Sequence, residues 1–194
     1  MPARARRLGG CVIRRLMEKS VSNTMLISVL AADRTGLVAA IAGCLFDLGA
    51  NLGDTTFAVL GEGAEFTSVA DLPPGLSTND VKAQLAALPE VAGGQVDVAP
   101  YSFKPHFGPT ARVTHRITIS GGDQPGLVAR LSEAFGQYGA NIVHLEAQKS
   151  PEPAPGRYMT RFAVSIPANT TDSCLATVTN TAGSLNLTVT IETA

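Results

Sequence analysis

The chain has 194 residues, 45% hydrophobic and 16% charged, a balance typical of a soluble globular protein with room for two domains of roughly 80 to 90 residues. No apolar run nears the roughly 20 residues that span a bilayer, and with no Trp and 5% aromatics a stacking platform for single-stranded nucleic acid is not expected. Arg4, Arg6, Arg7, Arg14, Arg15 and Lys19 against Glu18 give residues 1–22 a charge of +5, leaving nine basic against fifteen acidic residues (−6) in a body ill suited to DNA phosphates.

The chain opens MPARARRLGGCVIRRLMEKS. Three readings compete for this segment. It is a basic arm for nucleic acid or a partner, an Arg-rich transit peptide, or an overrun upstream of a start at Met17 or Met25. The last is favoured because the domain pattern needs none of it. Its apolar run is too short for a secretory signal. The expected division is a disordered or non-native arm over 1–23, domains over 24–102 and 112–194, and a linker over 103–111.

Met25–Ala32 (MLISVLAA) is a short apolar run with β-branched residues and predicts a strand. Asp33 follows as an expected helix N-cap, accepting from the amides of the first turn. Leu37, Val38, Ile41, Leu45 and Leu48 fall on one helical face, and Gly49 ends the helix in the left-handed position glycine favours. Asn51–Leu60 predicts a second strand, Gly61-Glu62-Gly63 a hairpin turn and Glu65–Asp71 a third strand. Pro73-Pro74-Gly75 breaks the chain. Ser77–Leu88 predicts a second helix, with Val81, Leu85 and Leu88 on one face, and Gln95–Tyr101 a last strand. Tyr101–Arg112, with two prolines and a glycine, reads as linker.

The order then repeats at an offset of ninety residues. Asp33-Arg34-Thr35-Gly36-Leu37-Val38-Ala39 returns as Asp123-Gln124-Pro125-Gly126-Leu127-Val128-Ala129, and Gly49-Ala50-Asn51 as Gly139-Ala140-Asn141. One long period seen twice marks a duplicated domain, not a solenoid. Arg116–Ser120 predicts the first strand of this copy, and Asp123 the N-cap of a helix whose face carries Leu127, Val128, Leu131, Phe135 and Tyr138. Asn141–Lys149 is a strand, Ser150–Gly156 a Pro-rich loop, and Arg157–Ile166 a strand with Phe162, Val164 and Ile166 on one side. Asp172–Ala182 must be the second helix. Four threonines among Thr171–Thr181 are poor helix formers, so it is expected to be the least stable helix. Leu187, Val189 and Ile191 close the chain as an alternating strand. Each copy therefore reads β-α-β-β-α-β, an α+β ferredoxin-like plait with an antiparallel sheet and helices on one face.

These residues resemble tandem ACT domains, small-molecule sensing modules, and within them the family of the glycine cleavage system transcriptional repressor. The matching residues in the first copy are Asp33-Arg34-x-Gly36, Gly49-x-Asn51-x-x-Asp54, Leu60-Gly61 and Glu65-Phe66-Thr67. In the second they are Asp123-x-Pro125, Asn141-Ile142 and the Ser150-Pro151 loop. The resemblance spans roughly Thr24 to Thr193. It implies a regulator that responds to a small amino acid, glycine above all. Such a regulator acts on transcription through a DNA-binding protein partner and does not touch DNA itself. It also implies a homodimer, and two pseudo-equivalent pockets where the first strand–helix turn of one unit meets the second strand of the other.

The residue types suit that role. A helix N-terminus presents free N–H groups and partial positive charge to a carboxylate. Gly36 and Gly126, followed by Leu37 and Leu127, lie there, where a missing side chain lets a ligand reach the backbone. Asn51 and Asn141, the latter with Ile142 beside it, start the adjacent strands; an amide serves both a carboxylate and an ammonium. Asp33, Asp54 or Asp123 would pair the ammonium. Structural roles compete throughout. The aspartates are N-caps, the asparagines satisfy their own turns, and Gly36 and Gly126 allow close helix–sheet packing; Gly49 and Gly139 are C-caps only.

Enzyme is the weakest class: no Gly-x-Ser-x-Gly, P-loop or His-Glu-x-x-His occurs, and no cofactor is implied. His144 is expected as a surface or cross-strand residue, without partners at metal spacing. Cys11, Cys44 and Cys174 are too few and too scattered for a disulfide framework, which fits a reducing cytoplasm. The competing reading is a regulatory or scaffold protein that binds an enzyme or its own copy and takes no small ligand.

Overall fold

The computed structural model describes residues 23–103, 108, 111–123, 125–149 and 157–194. The basic amino-terminal segment, most of the linker and the Ser150–Gly156 loop fall outside them. The elements form two compact units. The first holds β1 (Thr24–Ala32), α1 (Leu37–Asp47), β2 (Asn51–Leu60), β3 (Gly63–Asp71), α2 (Thr78–Ala86) and β4 (Gln95–Pro100), with a 3-10 turn at Pro89–Val91. The second holds β5 (His115–Gly122), α3 (Leu127–Gln137), β6 (Asn141–Lys149), β7 (Arg157–Ser165), α4 (Thr171–Ser184) and β8 (Thr188–Thr193). Each has a four-stranded antiparallel sheet, ordered β2-β3-β1-β4 and β6-β7-β5-β8. The chain thus forms the βαββαβ plait twice.

Alternation along the central strands builds each core. Ile27, Val29 and Ala31 of β1 and Ala64, Phe66 and Ala70 of β3 are buried beneath Leu37, Ile41 and Leu45 of α1 and Val81 and Leu85 of α2. Burying a side chain of that size contributes roughly 1.5–3 kcal/mol. In the second unit Ile117, Ile119, Phe162 and Val164 meet Leu127, Leu131 and Phe135 of α3 and Cys174, Val178 and Ala182 of α4. The helices leave the edge strand β2 almost uncovered: of its ten residues only Leu52 is half-buried.

The two copies solve the same packing problem differently. Val29 faces Phe66 across the sheet, but its counterpart Ile119 faces Thr160. Two residues earlier, Ile27 faces Ser68 while Ile117 faces Phe162. The bulky aromatic has therefore moved one inward-facing row along the strand between the repeats. Phe162 packs on Phe135 with ring centroids 5.2 Å apart. The buried Ser68 hydroxyl bonds to Thr55 at 2.8 Å, whereas the Thr160 hydroxyl has no partner among the described residues.

Helix ends follow local chemistry. After α1, Gly49 at φ +76° lets its own amide reach the Phe46 carbonyl (2.8 Å) and the Ala50 amide reach the Leu45 carbonyl (2.9 Å). Gly139 repeats this after α3, with Ala140 on Phe135 at 3.0 Å. Both are the glycine C-caps expected. Helix α4 runs two residues past Ala182 and, at 14 residues, is the longest described helix despite its threonines. Three of the four hydroxyls find partners: Thr179 donates to the Leu175 carbonyl (2.8 Å), Thr171 to that of Pro167 (3.1 Å), and Thr177 bonds the Tyr138 hydroxyl (2.8 Å). Packing of its buried face, not propensity, sets its length.

Helix α2 begins with a full capping box. The Ser77 hydroxyl accepts from the Asp80 amide at 3.1 Å, and the Asp80 carboxylate accepts from the Ser77 amide at 3.2 Å. Ser77→Ala should cost about 1 kcal/mol of stability, read as a lower denaturant midpoint at neutral pH. Bonds from the Ser77 hydroxyl and amide hold the Asp80 carboxyl below its ordinary pKa. That contribution is present above the unfolded value of about 4 and is lost as pH falls through the folded one. The gap between wild type and Ser77→Ala should therefore narrow in acid.

Candidate functional site

Asp33 leaves β1 but does not cap α1. Its amide donates to the Glu62 carbonyl at 2.9 Å, which ties it to the tip of the β2–β3 hairpin. Arg34 and Thr35 then turn the chain, and the N-cap is Gly36 at φ +90°, with no side-chain cap. The second unit repeats this, with Gly126 at φ +79° as the N-cap. The expectation that Asp33 and Asp123 cap the helices is thus corrected: each stands three residues ahead of the N-cap. Close helix–sheet packing at the glycines is corrected too, because a Cβ on Gly36 or Gly126 would meet nothing within 4 Å. Positive φ is what calls for glycine.

A glycine N-cap has a chemical consequence. A Ser, Thr, Asp or Asn in that place bonds a first-turn amide, and glycine cannot. Among the described residues the amides of Val38 and Ala39, and of Val128 and Ala129, have no partner. Each helix therefore starts with open donors at the positive end of its dipole.

A cleft lies over each of these starts. The first, about 440 Å³, is lined by Asp33, Arg34, Thr35, Gly36, Val38 and Phe57 among others. The second, about 220 Å³, is lined by Asp123, Pro125, Gly126, Val128 and Tyr158 among others. Leu37 and Leu127 also border them, but both side chains are buried in the cores. Three sequence-derived residues thus meet at each cleft: Asp33, Gly36 and Leu37, and Asp123, Gly126 and Leu127.

The other four lie elsewhere in their own units. Asn51 pairs with Asp71, which faces Thr24 at the opposite end of β1 from Asp33. Eight steps along a strand make about 27 Å. Asp54 is exposed beside the irregularity between Leu52 and Thr55. Asn141 and Ile142 pair with Ser165 and Val164, level with the start of β5 and far from Asp123. His144 is exposed and faces Ala163 across the sheet, as expected of a cross-strand residue.

Charge separates the two clefts. Lys149 Nζ lies 2.8 Å from Asp123 Oδ2, and that carboxylate raises the lysine's pKa above its ordinary value. No hydrogen bond or ion pair reaches the Asp33 carboxylate among the described residues. Phe57, Val38, Tyr158 and Lys149 were not singled out from the sequence. Only comparison of the two copies position by position, Val59 against Lys149, would have flagged the lysine. The thiols of Cys44 and Cys174 are both pushed up, Cys44 by burial and then Asp47, Cys174 by burial, so neither is an activated nucleophile. Among the described residues no group of three or more metal-ligating side chains occurs.

Gly36→Ala should cost about 1–2 kcal/mol, because the strain is conformational and no neighbour has to move. Gly43→Ala, within α1 and equally open, should instead stabilise by roughly 0.5–1 kcal/mol. Thermal unfolding of the two variants side by side checks both signs.

Residues 115–170 match the ACT domain model. No curated protein matches the chain. A crystal structure of an unknown protein from Galdieria sulphuraria is similar over 89% of this chain and 98% of its own, with 22% identity and a TM-score of 0.67. A protein proposed as a glycine cleavage system transcriptional repressor is similar over 90% of this chain and 99% of its own, with 15% identity and a TM-score of 0.65. The second unit therefore matches the ACT domain model, and the chain as a whole shares the fold of two βαββαβ units in tandem with these structures.

Proposed function

We propose that the protein is an amino-acid-responsive regulator that acts on transcription through a protein partner and not by binding DNA. The observation that carries this reading is the uncapped helix start beside an aspartate, built twice on one fold. A free amino acid is a carboxylate and an ammonium one carbon apart. The open amides of Val38 and Ala39 suit the first, and the Asp33 carboxylate suits the second. The cleft has room for a small amino acid, and the likeness to a proposed glycine cleavage repressor points to glycine. The acidic body outside the basic segment speaks for a protein intermediary rather than direct contact with DNA.

A ligand so held would complete the missing cap of α1 and bridge it to the hairpin tip through Asp33. Binding would then be linked to folding stability. At a hundred times the dissociation constant a single ligand adds about 2.7 kcal/mol. Calorimetry and thermal unfolding with glycine, serine and the branched amino acids test this. Heat and a raised midpoint with glycine are expected; silence with every amino acid would favour a ligand-free scaffold. The partner is expected to be a DNA-binding regulator that co-purifies with the chain in a glycine-dependent amount.

We also propose that the protein is a homo-oligomer. Phe46 on α1 is 79% exposed, and Phe57, Val59 and Leu60 line the uncovered edge strand β2. A long apolar edge strand is a surface that soluble proteins seldom leave open. Sedimentation at micromolar concentration should give a dimer or larger species; a monomer rejects this.

A further inference from the structure

The clefts occupy matching positions in the two units but differ in what the neighbouring strands supply. In the first unit the row of residues next to the turn is Val59, Ala64 and Ala31. In the second the same row is Lys149, Tyr158 and Gly121. A small apolar row has become a cation and a phenol. Tyr158 lines the second cleft, whose volume is half that of the first, and Lys149 reaches across to Asp123 at 2.8 Å. Val59 carries no charge to offer Asp33.

We infer that Lys149 is a built-in occupant of the second turn: its ammonium takes on Asp123 the place a ligand's ammonium takes on Asp33, so the first unit alone receives the amino acid. This rests on the amino-acid reading above and adds a stoichiometry and a residue that sets it. One carboxylate pairs one cation well, and a second ammonium arriving at Asp123 must displace the first or meet like charge. The resident cation is tethered to a strand of a hydrogen-bonded ladder, so it competes at an effective concentration on the order of millimolar. The pair is exposed, with side chains 74% and 41% accessible, so it adds little to stability. Its effect is on occupancy. Asp123 in turn favours the charged lysine.

The test exchanges the two residues. Glycine and serine titrated calorimetrically into the full chain should fit one site. Lys149→Val should open a second binding event, and Val59→Lys should weaken the first by roughly fivefold or more. Two equivalent sites in the wild type, or a Val59→Lys chain that binds as the wild type does, overturns the inference. If neither amino acid gives heat with the wild type, the sensor reading fails on its own account, and the pairing is read without ligand. Lys149 should then be acylated slowly at about pH 9, below its raised pKa, and several-fold faster in Asp123→Asn. An unchanged rate overturns the occupancy of Asp123; a faster one upholds it.

Discussion

Two glycines in the left-handed conformation determine what this fold presents to solvent. Because Gly36 and Gly126 stand at the N-caps of α1 and α3, the first-turn amides meet no side chain of their own. Helix α2 shows the alternative within the same unit: the Ser77 hydroxyl takes the Asp80 amide, and the Asp80 carboxylate takes the Ser77 amide in return. The contrast lies in one residue's ability to accept a hydrogen bond. Elsewhere an open helix start would be a defect of order 1 kcal/mol; here it recurs at the same place in both halves, beside an aspartate each time.

Duplication keeps the backbone and frees the side chains. The turns, C-caps and strand orders of the two units agree closely, while the rows that border the clefts do not. Val59 and Ala64 leave Asp33 open, and Lys149 and Tyr158 close around Asp123. Two sites with one ancestry therefore need not share one task. An internal lysine is a simple means of retiring one of them, because it answers the carboxylate without disturbing the strand that carries it.

The elements were legible because their signals are local. A short apolar run with β-branched residues gave β1, one-sided alternation gave β7 and β8, Gly49 and Gly139 marked helix ends, and the ninety-residue repeat gave the architecture. Asp33 and Asp123 were misread because an aspartate before an apolar helical face is the ordinary N-cap signal. Nothing in composition distinguishes a cap from a residue three places earlier; the positive φ at Gly36 does, and it is a backbone property. The site was legible only in part for a similar reason. Asn51 and Asn141 are near the turns in sequence, but an antiparallel strand carries them to the far end of the sheet. Lys149 could be found only through the register that sets it against Tyr158. The threonines of α4 did not hide the helix, because its buried face of Cys174, Val178 and Ala182 carries the helical period.

The displaced aromatic has a bearing on how such a chain assembles. Two copies of one topology, joined by a short linker, risk pairing a strand of one with the sheet of the other as they emerge. Phe66 would then arrive where the second sheet expects the slender Thr160, and Phe162 where the first expects Ser68. Each mismatch crowds a buried layer at one point and leaves a void at the next, errors of a few kcal/mol that neither helix layer can absorb. The repeats thus carry a steric signature of their own, and each strand recognises its proper sheet by where its bulk falls.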